Sequence, residues 1–138
     1  MKLRADGYYV SRHSCYLLQY HLVLVTKYRK PVITGNLEKA LKGYTLQYFK
    51  DRDIPVHAME TMPDHIHILF DAPPQMNLAE FINAFKSASS RQMRKRHRDQ
   101  VSKYYWEPYF WSLSYFTVGT VSDRTKQAVE AYIRNQKQ

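Results

Sequence analysis

Met62-Pro63-Asp64-His65-Ile66-His67-Ile68-Leu69-Phe70 reads as a turn followed by a strand. Pro63 and Asp64 are turn chemistry, and Ile66, Ile68 and Phe70 then alternate with His65, His67 and Leu69. Side chains on a strand point alternately to opposite faces, which puts His65 and His67 on one face and Ile66 and Ile68 on the other. Two imidazoles two residues apart can then reach one divalent cation, with the isoleucines in the core behind them. A half-exposed strand that merely carries two histidines has the same pattern. His-x-His occurs in many unrelated metal sites, so the motif points to a metal before it points to a reaction.

Working outward, Val56 to Met62 reads as a strand that joins this one through the Pro63-Asp64 turn, an antiparallel hairpin. Upstream, Asn36 is placed as the N-cap of a helix running to about Arg52, with Leu37, Ala40, Leu41, Tyr44, Tyr48 and Phe49 as its core stripe. Before that helix, Cys15 to Thr26 is apolar on both faces, as expected of a central strand. His21 within it is read as packed or hydrogen-bonded in the sheet rather than as a metal ligand. Lys27-Tyr28-Arg29-Lys30-Pro31 is a basic exit, a candidate phosphate contact or a solvated turn. Residues 1–14 are polar and without period, and are expected to form a loosely held arm.

Downstream, Asn77 with Glu80 resembles a capping box that opens a helix to about Arg96. Leu78, Phe81, Ile82, Phe85, Ala88 and Met93 mark its buried face. Lys86, Arg91, Arg94, Lys95, Arg96 and Arg98 concentrate positive charge on its second half, with no acid until Asp99, a candidate phosphate-binding surface. Tyr104 to Phe110 is an aromatic loop, and Trp111 to Val118 reads as a last strand broken by Gly119. Ser122 caps a final helix from Asp123 to about Gln136, on which Tyr132 and Gln136 lie four apart and share a face.

Twenty-one Lys and Arg against twelve Asp and Glu leave a net charge of +9, which favours a polyanionic partner, nucleic acid first and acidic membrane second. Twelve tyrosines among those basic residues suit stacking on unpaired bases. Cys15 is the one cysteine, so an internal disulfide is excluded and a reducing cytoplasm fits. The N-terminus lacks an apolar signal region, and the aliphatic run Leu22 to Val25 is too short to span a bilayer. The expectation is a soluble cytoplasmic protein with no membrane partner.

No linker, repeat or low-complexity segment divides the chain, so residues 1–138 are expected to form one domain. The order strand, helix, strand, strand, helix, strand, helix predicts an α+β fold. It is a ferredoxin-like (RRM-like) antiparallel sheet with helices on one face, plus a C-terminal helix over 122–138. In that topology the histidine strand is central and its histidines face the open side of the sheet.

With these residues placed, the chain resembles the single-tyrosine HUH transposases, small insertion-sequence enzymes of the TnpA type that act on single-stranded DNA. Tyr20-His21-Leu22-Val23 with Lys27-Tyr28-Arg29 looks like the family's first strand and exit. Met62 to His67 looks like its histidine motif, and Phe85-Lys86-Ser87-Ala88-Ser89-Ser90-Arg91 like its second helix. Trp111 to Phe116, Gly119 to Ser122, and Tyr132-Ile133 with Gln136 resemble its C-terminal signature. Leu113 stands where the family often has Pro, and Glu107-Pro108 interrupts the aromatic loop.

The resemblance implies roles. His65, His67 and Gln136 hold Mg²⁺ or Mn²⁺, and Tyr132 is the nucleophile that forms a 5′-phosphotyrosine link and frees a 3′-hydroxyl. No nucleotide cofactor is required. It further implies hairpins at transposon ends as substrate, a homodimer whose final helix swings on a hinge within Gly119 to Ser122, and a nucleoid-associated location. Lys27, Arg29, Lys30, Lys86, Arg91, Arg94 and Lys95 are the expected DNA contacts. Asp64 and Glu60 are read as turn and strand residues that can support the metal ligands from behind. Rival readings are a non-catalytic single-stranded DNA- or RNA-binding module on the same sheet, and a domesticated relative acting on repeated genomic hairpins.

Overall fold

Apolar alternation builds the centre of the molecule. In the computed structural model, which describes Lys2–Leu3, Tyr9–Val10, Cys15–Tyr16 and residues 18–120, strand β4 (Gln19–Thr26) buries Leu22, Leu24 and Thr26 on one face. Three short strands precede it, β1 (Lys2–Leu3), β2 (Tyr9–Val10) and β3 (Cys15–Tyr16), paired as an antiparallel meander. After it come helix α1 (Gly35–Asp51), the hairpin β5 (Val56–Met62) and β6 (His65–Asp71), helix α2 (Leu78–Arg96), the short helix α3 (Arg98–Ser102) and strand β7 (Trp111–Thr120). The main sheet has the order β5-β6-β4-β7, antiparallel throughout. That is the ferredoxin-like order expected, with β6 and β4 central. Residues 122–138, expected to form a C-terminal helix, lie outside the described residues.

The helices cover one face because the core side chains of the strands point only that way. Ile66, Ile68 and Phe70 of β6 are fully buried together with Phe49 of α1 and Ile82 and Phe85 of α2. The Phe49 ring meets Phe70, Phe81 and Phe85 edge-on at 5.3, 5.1 and 5.4 Å. Aromatic pairs in this geometry add to the ~1.5–3 kcal/mol that burying each such side chain contributes. Trp111 joins them at the start of β7, its indole Nε1–H donating to Ser89 Oγ at 2.9 Å.

Three local expectations are corrected. Thr34, not Asn36, occupies the N-cap of α1 and makes no side-chain cap hydrogen bond. Gly35 turns the chain at φ +58°, which glycine accepts without strain. Gln100 holds the segment before the helix rather than capping its N–H groups, its Nε2 donating to the Val32 and Thr34 carbonyls at 3.0 and 2.9 Å. Gly119 does not break the last strand: β7 runs through it, with Gly119 opposite Tyr20. Of the hinge placed within Gly119 to Ser122, residues 121–122 lie outside the described residues. Residues 98–102, given no element from the sequence, form α3.

Within residues 1–14, expected as a loose arm, β1 and β2 are paired. Tyr9 is buried and its hydroxyl donates to Asp71 Oδ2 at 2.5 Å.

Candidate metal and nucleic-acid site

The register of β6 fixes the face that matters. His65 pairs with Val25 and Met62, and His67 with Val23 and Glu60. Both imidazoles therefore stand on the sheet face opposite the helices, half-buried, with Ile66 and Ile68 locked beneath them. The turn that feeds His65 is tied to the exit of β4. Thr26 N–H donates to the Asp64 carbonyl at 2.9 Å, Thr26 Oγ1 reaches the same oxygen at 3.2 Å, and Ile33 N–H donates to the Pro63 carbonyl at 2.9 Å.

Asp64 orients His65. Its Oδ1 lies 2.9 Å from His65 Nδ1, and its Oδ2 accepts from Arg29 Nε and a terminal guanidinium nitrogen at 3.2 and 3.0 Å. The His65 hydrogen bond, helped by the Arg29 guanidinium, holds the Asp64 carboxyl below its ordinary 3.8. An ionised carboxylate only accepts, so the proton of this contact sits on His65 Nδ1. In the neutral ring that leaves the Nε2 lone pair for a cation, the arrangement by which proteins commonly aim metal-binding histidines. Arg29 reaches Asp64 from a strained backbone: Tyr28 and Arg29 have φ of +57° and +54°, left-handed values that cost roughly 1–2 kcal/mol per non-glycine residue.

His67 has a different neighbour. His21 Nδ1 lies 2.8 Å from His67 Nε2, and the two rings stack at 5.0 Å with 26° between planes. Among the described residues no three His, Cys, Asp or Glu side chains form a ready-made metal cage. His65 and His67 offer two nitrogen donors on one face, which suits a ligand set completed by an amide oxygen and open positions. Gln136 and Tyr132 lie outside the described residues.

Beside the histidines, basic and aromatic side chains are interleaved. Lys27 Nζ sits 5.2 Å from the Tyr28 ring centroid and 4.9 Å from that of Tyr109. The loop over residues 104–110 is pinned here by Tyr105, whose hydroxyl donates to the Lys27 carbonyl at 2.5 Å, and by Lys27 N–H donating to the Phe110 carbonyl at 2.8 Å. Trp106 on that loop is 99% exposed, a large apolar ring given wholly to solvent. A groove of about 480 Å³ between α2 and the start of β7 is lined by Asn83, Lys86, Ser87, Ser90, Tyr109 and Trp111 among others.

The seven expected DNA contacts are thus not equivalent. Lys86 donates to the Leu113 carbonyl at 2.9 Å, lies over the Tyr115 ring, and has its pKa pushed down by burial. Arg94 Nε donates to Ser90 Oγ at 3.1 Å on the groove rim. Lys30, Arg91 and Lys95 are exposed, whereas Arg29 spends two donors on Asp64. His21, read as hydrogen-bonded in the sheet, meets His67, and Asp64, read as able to support the ligands from behind, meets His65. For Asp64 its place directly before His65 was a usable signal; for His21 only the cross-strand register reveals the contact. No helix among the described residues is long and apolar enough to cross a membrane.

Comparison with known proteins agrees with this geometry. Residues 14–136 match the family described as Transposase IS200 like. The ISDra2 transposase TnpA of Deinococcus radiodurans is 36% identical over 121 residues, spanning 88% of this chain and 85% of that protein. The transposase of insertion sequence IS200 from Salmonella typhimurium is 28% identical, spanning 90% of this chain and 80% of that protein. A crystal structure of a Deinococcus radiodurans R1 protein described as a transposase superposes with a TM-score of 0.72 at 34% identity, covering 93% of this chain and 97% of that one. With a match that runs from the first central strand to the last residues of the chain, this protein belongs to the IS200-like transposases, the single-tyrosine HUH family.

Proposed function

We propose that the chain binds DNA hairpins at transposon ends and cleaves and rejoins single-stranded DNA through a 5′-phosphotyrosine intermediate. The observation that carries this reading is the pair His65 and His67 on the open sheet face, with Asp64 leaving His65 Nε2 free to ligate, in a chain of this family. His65, His67 and Gln136 are the residues that would hold Mg²⁺ or Mn²⁺. When bound, the cation supplies Lewis-acid polarisation of the scissile phosphate.

Tyr132 is the nucleophile. Its phenolic oxygen forms a bond to phosphorus while the bond from phosphorus to the 3′-oxygen breaks, and that oxygen takes up a proton as a 3′-hydroxyl. Attack of a 3′-hydroxyl on the phosphotyrosine runs the same exchange in reverse, so no nucleotide cofactor is consumed. A phenol with a reference pKa of about 10 is a weak nucleophile until its proton is removed or a cation lies beside it.

Lys27, Lys30, Lys86, Arg91, Arg94 and Lys95 supply phosphate contacts, with Arg29 divided between Asp64 and the backbone of the DNA. Trp106 and the groove along α2 suit unpaired bases, since stacking on an aromatic ring is tolerant of sequence. A homodimer, with each final helix carrying a Tyr132, is part of this reading, as is a nucleoid location.

Incubation with single-stranded hairpin DNA and Mn²⁺ tests the chemistry directly. A covalent protein–DNA adduct should form, and Tyr132→Phe should abolish it while hairpin binding stays within a few fold. An adduct that persists in the variant assigns the nucleophile to another tyrosine; no adduct from the wild type, with binding intact, leaves a non-catalytic binding module.

A further inference from the structure

Each histidine of the pair has its own buttress. For His65 it is a carboxylate; for His67 it is a third imidazole, His21, which is outside the ligand set assigned above. His21 projects from β4 diagonally across the ladder from His67, since His67 is paired with Val23 and His21 with Leu69. The 2.8 Å separation of His21 Nδ1 and His67 Nε2 is a hydrogen bond, so one of these two nitrogens carries the proton and the other accepts it.

The two ways of placing that proton are not equivalent for metal binding. If His21 Nδ1–H donates, the His67 Nε2 lone pair is consumed, and a neutral His67 ring must carry its own proton on Nδ1. Nothing is then left to ligate unless the bond to His21 breaks. If His67 Nε2–H donates, His21 accepts, and the lone pair of His67 Nδ1 remains available while the bond is kept. The second state leaves His67 equivalent to His65: one ring nitrogen held by an acceptor, the other free.

We propose that His21 is a positioning residue for His67. It accepts from Nε2–H and leaves the lone pair of Nδ1 for a divalent cation. The ligand atoms are then His65 Nε2 and His67 Nδ1. This rests on the reading of His65 and His67 as metal ligands given under Proposed function.

The test uses the full chain without DNA. Histidine tautomers are read from long-range ¹H–¹⁵N correlation spectra of the metal-free protein at fixed pH, and Mn²⁺ affinity from the paramagnetic resonance of free Mn²⁺. The wild type should show His67 protonated on Nε2. His21→Leu keeps an apolar side chain in the strand but removes the acceptor, and should weaken Mn²⁺ binding by about 10–100-fold. His21→Asn places an accepting oxygen at about the position of Nδ1 and should recover most of that loss. His67 protonated on Nδ1 in the wild type, or Mn²⁺ affinity in His21→Leu equal to or higher than wild type, overturns the proposal. So does His21→Asn binding no better than His21→Leu when both unfold at the wild-type temperature. A wild type that binds no Mn²⁺ at all refutes the metal reading itself and takes this inference with it. A wild type that binds while His21→Leu binds equally well refutes this inference alone.

Discussion

Replacing Asp64 by Asn removes one charge and almost no volume, yet it should disturb the site more than deleting the side chain. The carboxylate now makes three contacts, two from Arg29 on Oδ2 and one from His65 Nδ1 on Oδ1. An asparagine has one accepting oxygen and one donating amide. Arg29 can only donate, so the oxygen turns toward Arg29 and the amide nitrogen toward His65. His65 Nδ1 must then accept, its proton moves to Nε2, and the lone pair meant for the cation is lost. Restoring the ligating tautomer means facing donor against donor on one side of the new carboxamide or the other. That forfeits one hydrogen bond at a largely solvent-exposed guanidinium, about 0.5–1 kcal/mol, or about 2–5-fold in Mn²⁺ affinity at 1.4 kcal/mol per decade. Asp64→Ala lets water accept from His65 and should cost less. Isothermal titration of each variant with Mn²⁺, without DNA, gives the order wild type, then Ala, then Asn. Equal affinity for Asn and wild type, or an alanine variant weaker than the asparagine one, would show that Asp64 is a turn residue that does not set the tautomer.

Three other outcomes follow from features away from the histidines. Ser89→Ala leaves the Trp111 indole N–H without its buried acceptor and should lower stability by about 1–3 kcal/mol in urea unfolding. Tyr105 has its pKa raised above 10.0 by burial. A raised folded value means that the stabilisation is fully present below pH 10.0 and is lost as pH rises through the folded value. The urea midpoint should therefore fall above pH 10, with a shallower fall in Tyr105→Phe, where the likewise raised Tyr44 and Tyr109 remain among the described residues. Neutralising Arg91, Arg94 and Lys95 together should reduce the slope of log hairpin affinity against log salt by about 2–3, measured by fluorescence anisotropy; an unchanged slope makes that face of α2 merely solvated.

The sheet was legible because its signal is local. Ile66, Ile68 and Phe70 against His65, His67 and Leu69 declare both the strand and its two faces, and the buried face matches residue for residue. Asn77 announced its helix for the same reason: its side chain accepts from Glu80 N–H, three residues away. What escaped depends on partners distant in sequence. The start of α1 turns on Gly35 and on Gln100, 66 residues beyond Thr34. Gly119 stays in its strand because the Tyr20 backbone pairs with it, and a residue that local propensity marks as a breaker is held by the ladder. In the site, the two histidines could be read directly. The ring that meets His67 could not, because it requires knowing that β4 and β6 are neighbours and in which register. Tyr9 belongs with these: its acceptor, Asp71, lies 62 residues downstream, and nothing in the polar composition around it announces that contact.

The place of β4 between β6 and β7 has a consequence for how the protein is made. The central strand leaves the ribosome before either strand that will flank it. At the usual ~5–20 residues per second, Thr26 precedes Asp71 by roughly 2–9 s and Thr120 by roughly 5–19 s. Throughout that interval Leu22-Val23-Leu24-Val25 is an apolar strand with both edges open, the kind of segment that chaperones engage and that nucleates aggregates. Lys27, Arg29 and Lys30 follow it at once and act as gatekeepers, their like charges opposing the stacking of nascent copies. Slower translation between Thr26 and Asp71 should therefore lower soluble yield, whereas slowing after Thr120 should not.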